Sequence, residues 1–162
     1  MKQSKSFPGL FVLKYKRKVF FDNLWTPELE LCRGLVIDKD FNVVVHPFRK
    51  IFNYMENGTA FDRDAEVVYT RKVNGFLGCV TNTEKYGTLY STTGTLDSDY
   101  AKMIEKHLKG QVEHLPTGIT YCFEICDESD PHIIQEDVGA YLIGAINVSS
   151  GYHFDEKQLE LS

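Results

Sequence analysis

The chain has 162 residues, 43% of them apolar and 25% charged, which suits one domain with a buried core and gives no sign of disorder or low complexity. A formal net charge of -5 excludes an overall basic surface, so any nucleic-acid contact must come from a local patch. No run reaches the length of a membrane span and Met1 to Pro8 lacks a signal-peptide core, so a reducing cytoplasm is the expected compartment.

Short apolar runs bounded by turn residues dominate. Leu10 to Leu13 and Val19 to Phe21 read as strands by aromatic and β-branched enrichment. Between them Lys14, Lys16, Arg17 and Lys18 gather around Tyr15, with Arg49 and Lys50 later, which fits either a nucleic-acid patch or a strand edge guarded by lysines. From Trp25 to Leu31 a short helical turn is expected, capped by Thr26 and opened by Pro27. Gly34 to Ile37 and Val43 to Val45 are strands joined through Asp38-Lys39-Asp40, a connection that sets them antiparallel.

A second hairpin is expected from Val67 to Lys72 and Phe76 to Thr81, turning at Asn74-Gly75. Asn74 tolerates a left-handed backbone, and Gly75 would let a phosphate-bearing ligand approach closely. After a strand at Thr88 to Tyr90, the repeat Tyr100, Ile104, Leu108 predicts a helix over Ser98 to Leu108. Asp97 or Ser98 caps it and Gly110 closes it. Ile119 to Ile125 and Val138 to Val148 complete the strands, the last of them apolar on both faces, and Phe154 to Leu161 is helix-like. The four cysteines form no Cys-x-x-Cys pair and no histidine lies at metal-ligand spacing from them, so no structural zinc is expected. Cys122 and Cys126 fall on one strand face as buried free thiols. No repeat or linker divides the chain, and a single domain over 1–162 is expected.

Lys72 is the residue with chemistry to explain. An amine with a reference pKa of about 10.4 must be activated by desolvation or by neighbouring cations before it attacks anything. Its hexapeptide, Thr70 to Gly75, fits a nucleophile at a strand end and equally a solvated lysine on a hairpin. Four further segments bear on the choice: Glu30 to Ile37, where Arg33 and Gly34 enter a strand; Val45 to Tyr54, basic and aromatic; Tyr121 to Ile125, with Glu124 set among apolar residues; and Val138 to Val148.

In this order the segments resemble the bacteriophage-type RNA ligase family, kin of the polynucleotide ligases and messenger-RNA capping enzymes, over about Leu10 to Leu161. Lys72-Val-Asn-Gly75 is similar to the family's nucleotidyl motif and Cys32-Arg33-Gly34 to its Arg-Gly strand. Pro47 to Asn53 is similar to its Pro-x-x-Lys-Phe-Phe-Asn segment, and Phe123-Glu124 to its third motif. The resemblance implies an α+β fold: an antiparallel β-rich nucleotidyltransferase core of the ATP-grasp-like ligase type, with an inserted helix. It implies that Lys72 attacks the α-phosphorus of ATP, expels pyrophosphate and holds AMP as a phosphoramidate, with magnesium or another divalent cation present. The AMP then passes to an RNA 5′-phosphate and a 3′-hydroxyl displaces it. By the same resemblance Arg33 and Lys50 neutralise the triphosphate, Asn74 and Gly75 belong to the nucleotide site, and Tyr15 and Phe52 close around the base. Glu124 bonds the ribose; a salt bridge to a core-edge cation is its alternative, as core packing is for Phe52.

The pattern also departs from the family. The Ser-Lys-Gly turn is Thr92-Thr93-Gly94 here, and an arginine after the third motif is replaced by His132. Motifs four and five, a Glu-Gly strand and a Lys-x-Lys strand, do not follow Val148. The expectation is a core incomplete at its C-terminus, either an active ligase portion or a weak or inactive nucleotide- and RNA-binding fragment. Its exposed strand edges would favour oligomers.

Overall fold

Two stretches of chain each close into their own antiparallel sheet, as a computed structural model describing residues 1–155, Gln158 and Leu159 shows. The first sheet holds β1 (Lys2–Gln3), β2 (Leu10–Lys14), β3 (Arg33–Asp38) and β4 (Val43–Val45) in that order. The second holds β5 (Phe76–Thr83), β6 (Gly87–Thr92), β7 (Ile119–Cys126), β8 (Gly139–Asn147) and β9 (His153–Phe154), ordered β6-β5-β7-β8-β9. The helices α1 (Arg17–Phe21), α2 (Pro27–Leu31) and α3 (Asp99–Leu108) interrupt them. The architecture is β-rich and α+β.

The period of two along β5 and β7 builds the layers. Cys79 and Cys122 join Leu10, Val12, Val36 and Val45 of the first sheet in one buried cluster. Val80, Tyr121, Phe123 and Ile125 join Ile104 and Leu108 of α3 in another. The second sheet is thus the middle layer, with apolar contacts on both faces, each fully buried Val, Leu or Ile contributing roughly 1.5–3 kcal/mol. All four cysteines are free, and Cys122 and Cys126 are buried as expected of them. The sulfur of Cys122, 3.9 Å away, and then burial push the Cys79 thiol up, which keeps it protonated and inert.

Several local expectations hold. The Asp38 carboxylate accepts the amides of Asp40 (2.8 Å) and Asn42 (2.9 Å) and so ties the β3–β4 hairpin. Thr26 accepts the Leu29 amide at 3.3 Å and Ser98 the Ala101 amide at 3.2 Å, capping α2 and α3. Gly110 ends α3 with φ 86°. Of the α3 repeat, Tyr100 is exposed, and the buried stripe is Ala101, Ile104 and Leu108.

Others are corrected. Val19–Phe21 lies in α1, because β2 ends at Lys14 and the chain leaves the sheet there. Val67–Lys72 forms no strand: β5 is already paired by β6 on one side and β7 on the other, so no edge is free to receive a hairpin partner. Tyr69 is 93% exposed as a result. β8 is not apolar-buried on both faces, since only Gly144, Ala145 and Ile146 are enclosed while Leu142 and Ile143 stay exposed. β9 covers β8 only at Ala145 and Ile146, which leaves the first half uncovered. Phe154 pairs within β9 and does not open the expected helix, whereas Gln158 and Leu159 of that run are helical; Glu156, Lys157, Glu160 and Leu161 lie outside the described residues. No helix among the described residues is long and apolar enough to cross a membrane.

Candidate active site

A cleft of about 850 Å³ opens where the two sheets stop facing each other, and Arg33, Lys72, Gly75 and Glu124 all line it. Arg33 begins β3 and is fixed by its neighbour. Gly34 has φ +100°, and a Cβ there would lie 2.7 Å from the Thr93 Cα, so this position demands glycine both for its backbone and for its contact. That contact clamps the start of β3 against the turn after β6.

Glu124 lies two residues beyond Cys122, so alternation puts both on one face of β7. Cys122 is sealed in the core, whereas Glu124 emerges into the cleft and its Oε1 accepts the Gly75 amide at 2.9 Å. Among the described residues Glu124 has no ion pair, so the alternative of a core-edge salt bridge is not what satisfies this carboxylate. Neither Asn74 nor Gly75 has the left-handed backbone expected of a hairpin turn. A Cβ on Gly75 would sit 2.1 Å from the Ile125 carbonyl oxygen, so this glycine serves the close approach of its own chain to β7.

Lys72 is exposed, four residues before the start of β5, and is not at a buried strand end. Its Nζ donates to Asn74 Oδ1 at 3.0 Å. Asn74 Nδ2 in turn donates to Glu136 Oε1 at 3.3 Å, and the other Glu136 oxygen accepts from the Arg71 guanidinium. A chain of contacts, Lys72–Asn74–Glu136–Arg71, therefore orients the lysine, with the side chain of the half-buried Glu136 only 6% exposed and Arg71 exposed in the cleft wall. Sequence reasoning missed Arg71 and Glu136. Adjacency to Lys72 could have flagged the arginine; nothing in the local pattern distinguishes Glu136.

Tyr15, Lys50 and Phe52 come together elsewhere, around Trp25. The Trp25 ring lies edge-on to Tyr15 at 4.8 Å and to Phe52 at 5.5 Å. Lys50 Nζ sits 4.5 Å from the Phe52 centroid, donates to the Ile51 carbonyl at 2.6 Å and lies 4.0 Å from the Glu56 carboxylate, contacts that already occupy the ammonium although Ile51 itself lines the cleft. The group flanks the strand that presents Arg33, because the Tyr15 amide donates to Cys32 (2.9 Å) and the Lys50 amide to Glu30 (2.8 Å). At the turn Thr92-Thr93-Gly94, Lys14 Nζ lies 3.5 Å from where a Gly94 Cβ would be, which puts a cation beside a turn that has none of its own. His132 bonds Asp130 at 3.1 Å on the surface.

No group of three or more His, Cys, Asp or Glu side chains among the described residues could hold a metal ion. A magnesium ion held through substrate phosphates, water and one or two carboxylates would need no such group. Arginines and a lysine facing a carboxylate instead suit a phosphate-bearing ligand with hydroxyls.

The site and its scaffold define a class: a β-rich α+β protein whose antiparallel sheets part around a cation-lined cleft. The chain belongs to the phage-type RNA ligase family, whose model, described as RNA ligase, matches residues 31–160. That span includes Arg33, Lys50, Phe52, Lys72, Asn74, Gly75 and Glu124 and leaves Tyr15 outside. No curated protein matches the chain.

Proposed function

We propose that the chain is the portion of an ATP-dependent RNA ligase that forms a covalent lysyl-AMP intermediate, with residues 1–162 acting as one domain. The observation that carries this reading is the meeting of Lys72, Arg33, Gly75 and Glu124 in one cleft, from elements far apart in sequence.

Lys72, held by Asn74 Oδ1, attacks the α-phosphorus of ATP. A nitrogen–phosphorus bond forms, the bond to the pyrophosphate oxygen breaks, and the amine releases its protons to solvent. Arg33 and Arg71 in the cleft wall offset the charge of the phosphates and the departing pyrophosphate. Glu124 uses one oxygen on the Gly75 amide and turns the other toward a ribose hydroxyl. The RNA 5′-phosphate then takes the AMP, restoring Lys72, and a 3′-hydroxyl displaces AMP to join the strand. Tyr15, Lys50 and Phe52 support this site from the flank of β3, where Lys50 reaches the triphosphate only after leaving the Ile51 carbonyl.

A second reading, a nucleotide-binding module without adenylation, is favoured by one observation: Lys72 is exposed and so lacks the desolvation that would activate its amine. Incubation with α-labelled ATP and magnesium separates the two. Label on the wild-type chain, absent from Lys72→Ala, is expected. An unlabelled protein that ATP nonetheless stabilises against heat would establish the binding module, and equal labelling of Lys72→Ala would remove Lys72 from the chemistry.

A further inference from the structure

We infer that α1 and the residues leading into it form a docking surface for single-stranded RNA, an inference that rests on the ligase reading of the Lys72 cleft. None of the residues of α1 is buried, and its N-cap Lys16 makes no side-chain capping bond. Phe20 (51% exposed) and Phe21 (75% exposed) stand edge-to-face at 5.6 Å with no part in either core cluster. Exposed aromatic faces beside cations are what single strands stack upon, each stacked base adding roughly a factor of ten in affinity.

The cations are present. Lys14, Lys16, Arg17 and Lys18 are all exposed on a chain of net charge -5, and among the described residues only Lys18 has an ion-pair partner, Asp22 at 4.0 Å. Lys16, Arg17 and Lys18 guard no strand edge, because β2 ends at Lys14 and Arg17 and Lys18 are helical; Lys14 lies beyond Phe11 and Val12, the β2 residues that β1 pairs. Lys14 faces Arg33 in the β2–β3 register, so positive charge runs from the cleft wall to α1. A polyanion complements that track, whereas a second copy of the same face would repel it.

The test uses the whole chain and a fluorescein-labelled 12-nucleotide single-stranded RNA with a 5′-phosphate, read by anisotropy across a salt series. Phe20→Ala/Phe21→Ala is expected to weaken binding about tenfold with the salt slope kept. Arg17→Glu/Lys18→Glu is expected to weaken it at least tenfold and to flatten the slope. Melting temperatures close to wild type confirm folding of both variants. Unchanged affinity in both variants overturns the inference, as does capture by anionic vesicles in place of RNA, or dimerisation that depends on the two phenylalanines while RNA affinity does not. Labelling of Lys72 by α-labelled ATP is measured alongside and needs no RNA. Its absence with α1-dependent RNA binding retained refutes the ligase reading and leaves the docking surface standing.

Discussion

Cys122 and Glu124 share one face of β7 and differ in almost everything else. Cys122 meets the first sheet and is fully buried; Glu124, two residues on, meets a cleft and a backbone amide. Phe48 marks the boundary between them, packed so tightly on Gly144 that a Cβ there would lie 2.5 Å from its ring. On one side of Phe48 the sheets fill the space between them with methyl groups. On the other they leave room for a ligand and line it with charge. Stability and chemistry are thus assigned to opposite ends of one strand, and substitutions should sort accordingly.

The largest effect is expected at the packed end. Ile104→Ala removes a fully buried side chain from beneath the second sheet and should cost about 4 kcal/mol in denaturant unfolding, with a cavity left between α3 and β7. A cost below about 1 kcal/mol would show that this end is not close-packed. Next comes Asp127, just past β7. The Ser129 hydroxyl and amide first, then Lys106 and His107, hold its carboxyl far below the usual carboxylate range. A carboxyl depressed in the folded state stabilises the fold above its ordinary value near 3.8, and that contribution fades as the pH falls toward the lower folded value. Asp127→Ala should therefore lower stability by about 2 kcal/mol at pH 7, and the difference from wild type should begin to shrink only as the pH falls below the ordinary value near 3.8, followed by thermal melts across pH. The smallest change in stability is expected at the open end. Glu124→Gln keeps an oxygen for the Gly75 amide and should shift unfolding by less than about 0.5 kcal/mol, yet weaken ATP binding about tenfold by calorimetry. Equal losses of stability and affinity would erase the distinction between the two ends.

What was legible in the sequence was local or repeated. The Asp38 turn and the Thr26 and Ser98 caps need only neighbours a few residues away, and the structure holds them as read. Arg33, Lys72, Gly75 and Glu124 were readable because each sits in a short motif, and they do line one cleft. Val67–Lys72 misled because β-branched residues state a preference for strand but not the availability of a free sheet edge. Lys50 and Phe52, expected at the triphosphate and the base, do not line the cleft; their contacts around Trp25 join residues far apart in sequence, which no local motif shows. Arg71 and Glu136 meet across 65 positions on irregular chain, where no periodicity points from one to the other.

The division of the sheets has a temporal side. Among the described residues every ladder of the first sheet lies within residues 2–45 and every ladder of the second within 76–154, and no strand pairing crosses between the two stretches. Each sheet can zip from mostly nearby chain, and joining them is left to side chains meeting face to face. The cleft comes into being only at that last encounter, so a folding intermediate with both sheets formed but undocked would carry every motif of the site and no site at all.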